Sequence, residues 1–168
     1  MRRGFRQDVP ENRDVMASFP VRLLASGFGT GYAPFISGTF GTLPAIPLAL
    51  AGTLLPPWLL CVLLILSLPF GIYVCGAAEG FGAAKDPGWI VFDEIVGFLF
   101  ATAFLKPTPA SYLTAFFLFR LFDIIKIWPA NWFDRSVSGG AGILLDDVVS
   151  GIYTRLALLA LSWLGVLA

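Results

Sequence analysis

Eight acids lie in the body of the chain, and four of them stand as two adjacent pairs, Asp93 with Glu94 and Asp146 with Asp147. The second pair follows the apolar run Ile143, Leu144, Leu145 and precedes Val148 and Val149. Burying one unpaired carboxylate among apolar groups is costly, and two side by side repel each other as well. Oxygen donors of this kind, with no imidazole or thiolate among them, suit a hard divalent cation, most simply Mg²⁺. A bound cation would offset the charge and the repulsion. The plainer alternative is that Asp146 and Asp147 cap a helix, because acids favour helix N-termini.

Elimination narrows the chemistry. The chain has no histidine, which removes histidine nucleophiles, bases and ligands. Six positions after Cys61 and Cys75 stand Ser67 and Phe81, so the cysteine-to-arginine spacing of thiol phosphatases is absent. No Asp-x-Asp nucleophile motif and no nucleotide-binding P-loop occurs. The cysteines themselves read as small apolar residues: on one helix they would lie about 21 Å apart, too far to bridge.

Arg120, Asp123 and Lys126 are spaced by three and share one broad helix side. They suit a phosphate clamp, with a planar fork from Arg120 and a point charge from Lys126, while Asp123 orients the arginine or holds metal. The alternative is an ion-pair network reaching to a membrane interface. A third feature, "GFGTGYAPFISGTFGTLP" from 27 to 44, mixes glycines with hydroxyls. Gly29, Thr30, Thr39 and Thr42 could form a nest for phosphate oxygens, or the stretch is simply an entry loop. Glu79, Asp86 and Asp134 are second choices for the site.

These groups need a scaffold, and composition says which kind. The 168 residues are 57% hydrophobic and 13% charged, with mean hydropathy +0.81. Soluble domains carry about 25% charged residues, so a membrane protein is expected. The net charge of +0 gives no argument for nucleic-acid binding. Residues 1–20 form a polar, Arg-rich tail, expected to be disordered or to lie on the surface, and residues 21–168 a single helical membrane-embedded domain. The tail is too charged for a secretory signal, and its arginines argue for a cytoplasmic location.

Apolar segments at 41–55, 56–76, 89–105, 110–128 and 148–168 predict an all-α, compact membrane bundle of about five helical segments. Three or four of these are expected to span, with 56–76 the best candidate. Asp93 and Glu94 begin one segment, Arg120 to Lys126 end another, and Asp146 and Asp147 precede the last. If the helices alternate direction, the clusters meet at one membrane face, where ionisable residues mark function by default.

The combined pattern resembles the phosphatidylglycerophosphatase A family of bacterial membrane phosphatases. The matching stretches are "GFGTGYAPFISGTFGTLPAIP", "IVFDEIVG", "FRLFDIIKIWP" and "NWFDRSVSGGAGILLDDVVSG", which run in family order between Ala25 and Gly151. Two positions depart from the family's usual proline, Ser37 and Ile127. The resemblance implies Mg²⁺-dependent hydrolysis of phosphatidylglycerophosphate to phosphatidylglycerol and phosphate, in phospholipid biosynthesis. It implies a multi-pass protein of the bacterial inner membrane, its active site facing the cytoplasm, with membrane lipids as partners and no nucleic acid. On that reading Asp93, Glu94, Asp123, Asp146 and Asp147 are ligands or general base, with metal held by Asp93, Glu94, Asp146 and Asp147. Arg120 and Lys126 bind phosphate. Another lipid-phosphate phosphatase is the alternative. A small membrane cation transporter is less favoured, because transporters place their charges near the midplane rather than at segment ends.

Overall fold

A computed structural model of the chain describes residues 12–81 and 86–167, and for 12–17 the backbone alone. Residues 1–11 of the Arg-rich tail lie outside it. The described residues form eight α-helices and one 3-10 turn: α1 (Asn12–Ala25), the turn Thr30–Tyr32, α2 (Ser37–Thr42), α3 (Ala45–Gly52), α4 (Pro57–Glu79), α5 (Phe92–Thr102), α6 (Pro109–Ile125), α7 (Ala130–Ser136) and α8 (Gly140–Trp163). No strand occurs among them, as the all-α expectation required.

The expected count of about five segments is too low. The five apolar segments correspond to α2–α3, α4, α5, α6 and α8, while α1 and α7 lie in more polar sequence without a long apolar run. The expectation of three or four spans is also not met by length and composition. Among the described residues only α4, with 23 residues, is long and apolar enough to cross a membrane. Helix α5 has 11 residues, about 16 Å against roughly 30 Å of hydrocarbon. Helix α8 has the length but carries Asp146, Asp147 and Arg155.

Local chemistry sets the ends of these helices. Pro57 opens α4 at a position whose N–H needs no intrahelical partner. Thr108 caps α6 by accepting a hydrogen bond from the Ser111 N–H, with Pro109 next to it. Lys126 then ends α6 in the left-handed conformation, φ 48°.

Helix α8 is the hub of the bundle, packed against α4, α5, α6 and α7. Ile95, Phe98 and Ala101 of α5 meet Tyr112, Ala115 and Phe119 of α6 and Leu158 of α8. Leu144 and Val148 of α8 close on Val96. Helices α5 and α8 run parallel, since Gly97 meets the Asp147–Gly151 stretch and Arg155 donates to the Phe104 carbonyl further along. A Cβ on Gly151 would stand 2.1 Å from the Gly97 carbonyl oxygen, and one on Gly97 would stand 2.6 Å from that of Asp147. Only glycine at both positions lets the backbones approach so closely. That contact lies one turn beyond each acid pair, so it brings the two pairs level.

The outer surface is apolar. Trp58, Ile65, Leu66 and Tyr73 of α4, Phe117 and Leu121 of α6, and Trp163 of α8 are all exposed.

Candidate functional site

The pocket begins with α5. Its first turn carries Asp93 and Glu94, and the second turn of α8 places Asp146 and Asp147 opposite them. The C-terminal half of α6 adds Arg120, Asp123 and Lys126, and the loop before α5 adds Asp86. Together with Ile36, Ser37, Gly38, Gly88 and Ile90 they line one cavity of about 290 Å³. All seven charged residues favoured from the sequence are therefore brought together.

The lesser candidates divide. Asp86 lines the cavity. Asp134 of α7 stands behind it, 2.9 Å from Lys126 Nζ. Glu79 is outside and accepts from the Asp86 N–H at 3.4 Å. The four expected phosphate-nest residues, Gly29, Thr30, Thr39 and Thr42, are not among its lining residues. Thr30 Oγ1 donates to the Gly27 carbonyl at 2.9 Å, and Thr42 Oγ1 to the Gly38 carbonyl at 2.8 Å, so both hydroxyls are engaged by their own backbone. From the same stretch it is Ser37 and Gly38 that reach the pocket. A Cβ on Gly38 would lie 2.0 Å from Glu94 Oε1 and 2.6 Å from Arg120 Nη2. The legible signal was the Gly-x-x-Gly spacing of Gly38 and Gly41, which bares one face of α2 to Glu94.

Two ion-pair systems organise the charges. Arg120 Nη1 donates to Glu94 Oε1 at 2.9 Å and lies 2.8 Å from Asp123 Oδ2. Lys126 Nζ donates to both Asp134 and Asp146. Six carboxylates thus face two cations across the cavity. Asp93 Oδ1, Glu94 Oε2 and Asp146 Oδ1 are buried without a hydrogen-bond partner, as is Arg120 Nε.

The electrostatic strain shows in the protonation equilibria. Burial, then the charges of Glu94, Asp86 and Asp146, hold the Asp93 carboxyl well above the usual range. Burial, then Asp123, Asp93 and Asp146, does the same to Asp147. Glu94 is pushed up to about 7 by burial, against the pull of Arg120. Asp146 is pushed up to about 6 by burial, against Lys126. Burial alone would lower Lys126, but the hydrogen bond and charge of Asp146, then the hydrogen bond to Asp134, outweigh it and raise it.

In donor type this set fits a hard cation: oxygens only, in excess over the local positive charge, with three of them unpartnered. Among the described residues no three carboxylates already converge on one metal position. Glu94 is turned to Arg120 and Asp146 to Lys126.

The fold and the pocket define a helical enzyme with an anionic, cation-bridged pocket set in an apolar body. The family profile described as Phosphatidylglycerophosphatase A matches residues 23–162. Phosphatidylglycerophosphatase A of Escherichia coli K12 is 39% identical over 147 residues, which cover 87% of this chain and 85% of that protein. The Haemophilus influenzae protein of the same name is 35% identical over 153 residues, 86% of this chain and 90% of the relative. A Bacteroides thetaiotaomicron protein, provisionally named a phosphatidylinositol-3-phosphatase, is 32% identical over 154 residues, 87% and 96% of the two chains. No solved structure matches the chain significantly. The chain belongs to the phosphatidylglycerophosphatase A family, and it is a phosphatase, a hydrolase.

Proposed function

We propose that the chain removes the terminal phosphate of phosphatidylglycerophosphate in a Mg²⁺-dependent reaction, yielding phosphatidylglycerol for phospholipid biosynthesis. The observation that carries this is the pocket itself. It holds six carboxylates, three of whose oxygens lack partners, beside an arginine and a lysine. Such a set suits a divalent cation and a phosphate monoester together.

Asp93, Glu94, Asp146 and Asp147 would hold the metal. Bound Mg²⁺ supplies a Lewis acid that polarises a phosphoryl oxygen and eases deprotonation of water. Arg120 and Lys126, which now pair with Glu94 and Asp146, would bind phosphoryl oxygens, where charge grows in the transition state. Water attacks phosphorus, the bond to the glycerol oxygen breaks, and that oxygen leaves with a proton.

Placement in the membrane rests on separate features. Helix α4 is long and apolar enough to cross. Trp128 and Trp132 are exposed in the turn and helix after Lys126, and Trp58 and Trp163 are exposed at the other ends of α4 and α8. Tryptophans at both ends of an apolar body suit the two interfaces of a bilayer. Arg22 of α1 lies 4.8 Å over the Phe81 ring, beside the end of α4 nearest the pocket. By the positive-inside tendency that side is the cytoplasmic one, and the protein is read as multi-pass in the bacterial inner membrane.

The test is phosphate release in detergent from phosphatidylglycerophosphate, phosphatidylinositol 3-phosphate and phosphatidic acid, each with Mg²⁺ and with EDTA. Preference for the first, abolished by EDTA and restored by Mg²⁺, is expected. Preference for the inositol lipid would shift the substrate to the one suggested by the Bacteroides relative's name. Full activity in chelator would overturn the metal role of the acid pairs.

A further inference from the structure

A lipid phosphatase must hold an apolar tail as well as a phosphate, and the acid pocket has no room for one. A second depression, about 540 Å³, runs between α3 and α6 and is lined almost wholly by apolar side chains. One wall is Leu43, Ile46 and Leu50, and the other is Leu113, Phe116 and Phe117, with Pro107 to Pro109 at its far end. Its volume lies within the roughly 300–1,000 Å³ of small-molecule sites.

Both walls lead out of the acid pocket. Phe117 stands three residues before Arg120 on α6, about 4.5 Å along the axis. Leu43 closes α2, whose first residues Ser37 and Gly38 line the pocket. The far end is set by Pro109, eleven residues before Arg120, or about 16 Å along α6. That is close to half of the roughly 30 Å hydrocarbon layer. The groove therefore runs along α6 from about 4.5 Å to about 16 Å from Arg120.

We propose that the α3–α6 groove is the acyl-chain subsite of this enzyme, and that it seats a fatty acyl chain of the lipid whose phosphate lies at Arg120. This rests on the lipid-phosphatase reading given above. It assigns Ile46, Leu113 and Phe117 as residues that set chain-length preference. An acyl chain in a bilayer is already removed from water, so burial in the groove adds little by the hydrophobic effect alone. The groove's contribution is then to orient the lipid and select among chains, which appears in KM more than in kcat.

The experiment compares dioleoyl and dihexanoyl phosphatidylglycerophosphate in mixed micelles. Ile46→Trp and Leu113→Trp narrow the groove from either wall, and Leu66→Trp places the same bulk on the exposed face of α4 as a control. The two groove variants are expected to raise KM for the dioleoyl lipid by about tenfold with kcat unchanged. The dihexanoyl lipid should change by less than about twofold, and Leu66→Trp should match the wild type. Equal changes on both substrates, no change on either, or an equal effect of Leu66→Trp overturns the subsite.

A second measurement needs no turnover. A non-hydrolysable phosphonate analogue with a diazirine at mid-chain should label the peptides containing Ile46 and Leu113–Phe117, and excess unlabelled analogue should suppress that labelling. Labelling confined to α4 overturns the assignment even if the protein hydrolyses no lipid phosphate. Absence of wild-type hydrolysis with groove labelling retained would instead count against the phosphatase reading alone.

Discussion

Gly151 rests directly on the carbonyl of Gly97, and this contact, one turn beyond each acid pair, sets the level at which Asp93 and Glu94 face Asp146 and Asp147. Gly151→Ala forces α5 and α8 apart, since its Cβ would fall 2.1 Å from that oxygen. Overpacking of this kind costs about 1–3 kcal/mol. We expect a lower melting temperature in detergent together with reduced activity. Gly52→Ala is the control: its nearest neighbour, Leu60 Cδ1, is 3.4 Å away, and stability should move by less than about 0.5 kcal/mol. Equal tolerance of both substitutions would remove the contact from the account of site assembly.

Arg120 serves Glu94 and Asp123 through a single nitrogen, Nη1. Arg120→Lys keeps the charge and loses the planar fork. If the fork grips phosphoryl oxygens in the transition state, kcat/KM should fall about 100-fold, roughly 2.7 kcal/mol, with little change in melting temperature. Normal turnover with a lowered melting temperature would assign Arg120 to the scaffold and leave phosphate to Lys126.

Asp147 is buried among Asp123, Asp93 and Asp146. Asp147→Asn removes a charge that is costly when no cation is present. The metal-free variant should melt at or above the wild-type temperature, while activity falls by more than about 100-fold as a ligand is lost. Asp146→Asn should also lose activity by more than about 100-fold. Near-normal rates in both variants would remove the pair from the metal site; the helix-cap alternative is already excluded, because α8 starts at Gly140 and its first turn holds no acid.

The raised carboxyls also make the metal-free fold sensitive to pH. Folded Glu94 and Asp146 bind protons more tightly than in the unfolded chain, so the folded state holds more protons between about pH 4 and 7, and stability falls as pH rises through that window. In EDTA the melting temperature should therefore drop from pH 4.5 to 7.5. Mg²⁺ should flatten the slope by stabilising the ionised forms. A metal-free melting temperature that rises over the same range would contradict the burial of these acids.

The charged half of the site was legible because ionisable residues are rare in this chain and each sits at an end of an apolar segment. Once α5, α6 and α8 exist, their ends have few other places to go. The glycine-rich stretch was harder to read. Thr30 and Thr42 look like ligands in the sequence, but their hydroxyls fold back onto the backbone one turn earlier, a local competition that composition does not reveal. Ser37 and Gly38 were overlooked because their value lies in what they leave open beside Glu94. The short α7 escaped notice because it lacks an apolar stripe, yet it delivers Asp134 to Lys126. Of the expected spans, only α4 meets length and composition among the described residues, because α5 and α6 are short and α8 carries Asp146, Asp147 and Arg155.

The parallel pairing of α5 with α8 has a consequence for biosynthesis. The two acid pairs lie on α5 and α8, and α8 leaves the ribosome after α4, α5 and α6. Until it arrives, Asp93 and Glu94 have no Asp146 or Asp147 opposite them, and α4, α5 and α6 lack the helix against which they pack. The site is complete only once α8 has been made, so a chain terminated before it would carry one acid pair without the other.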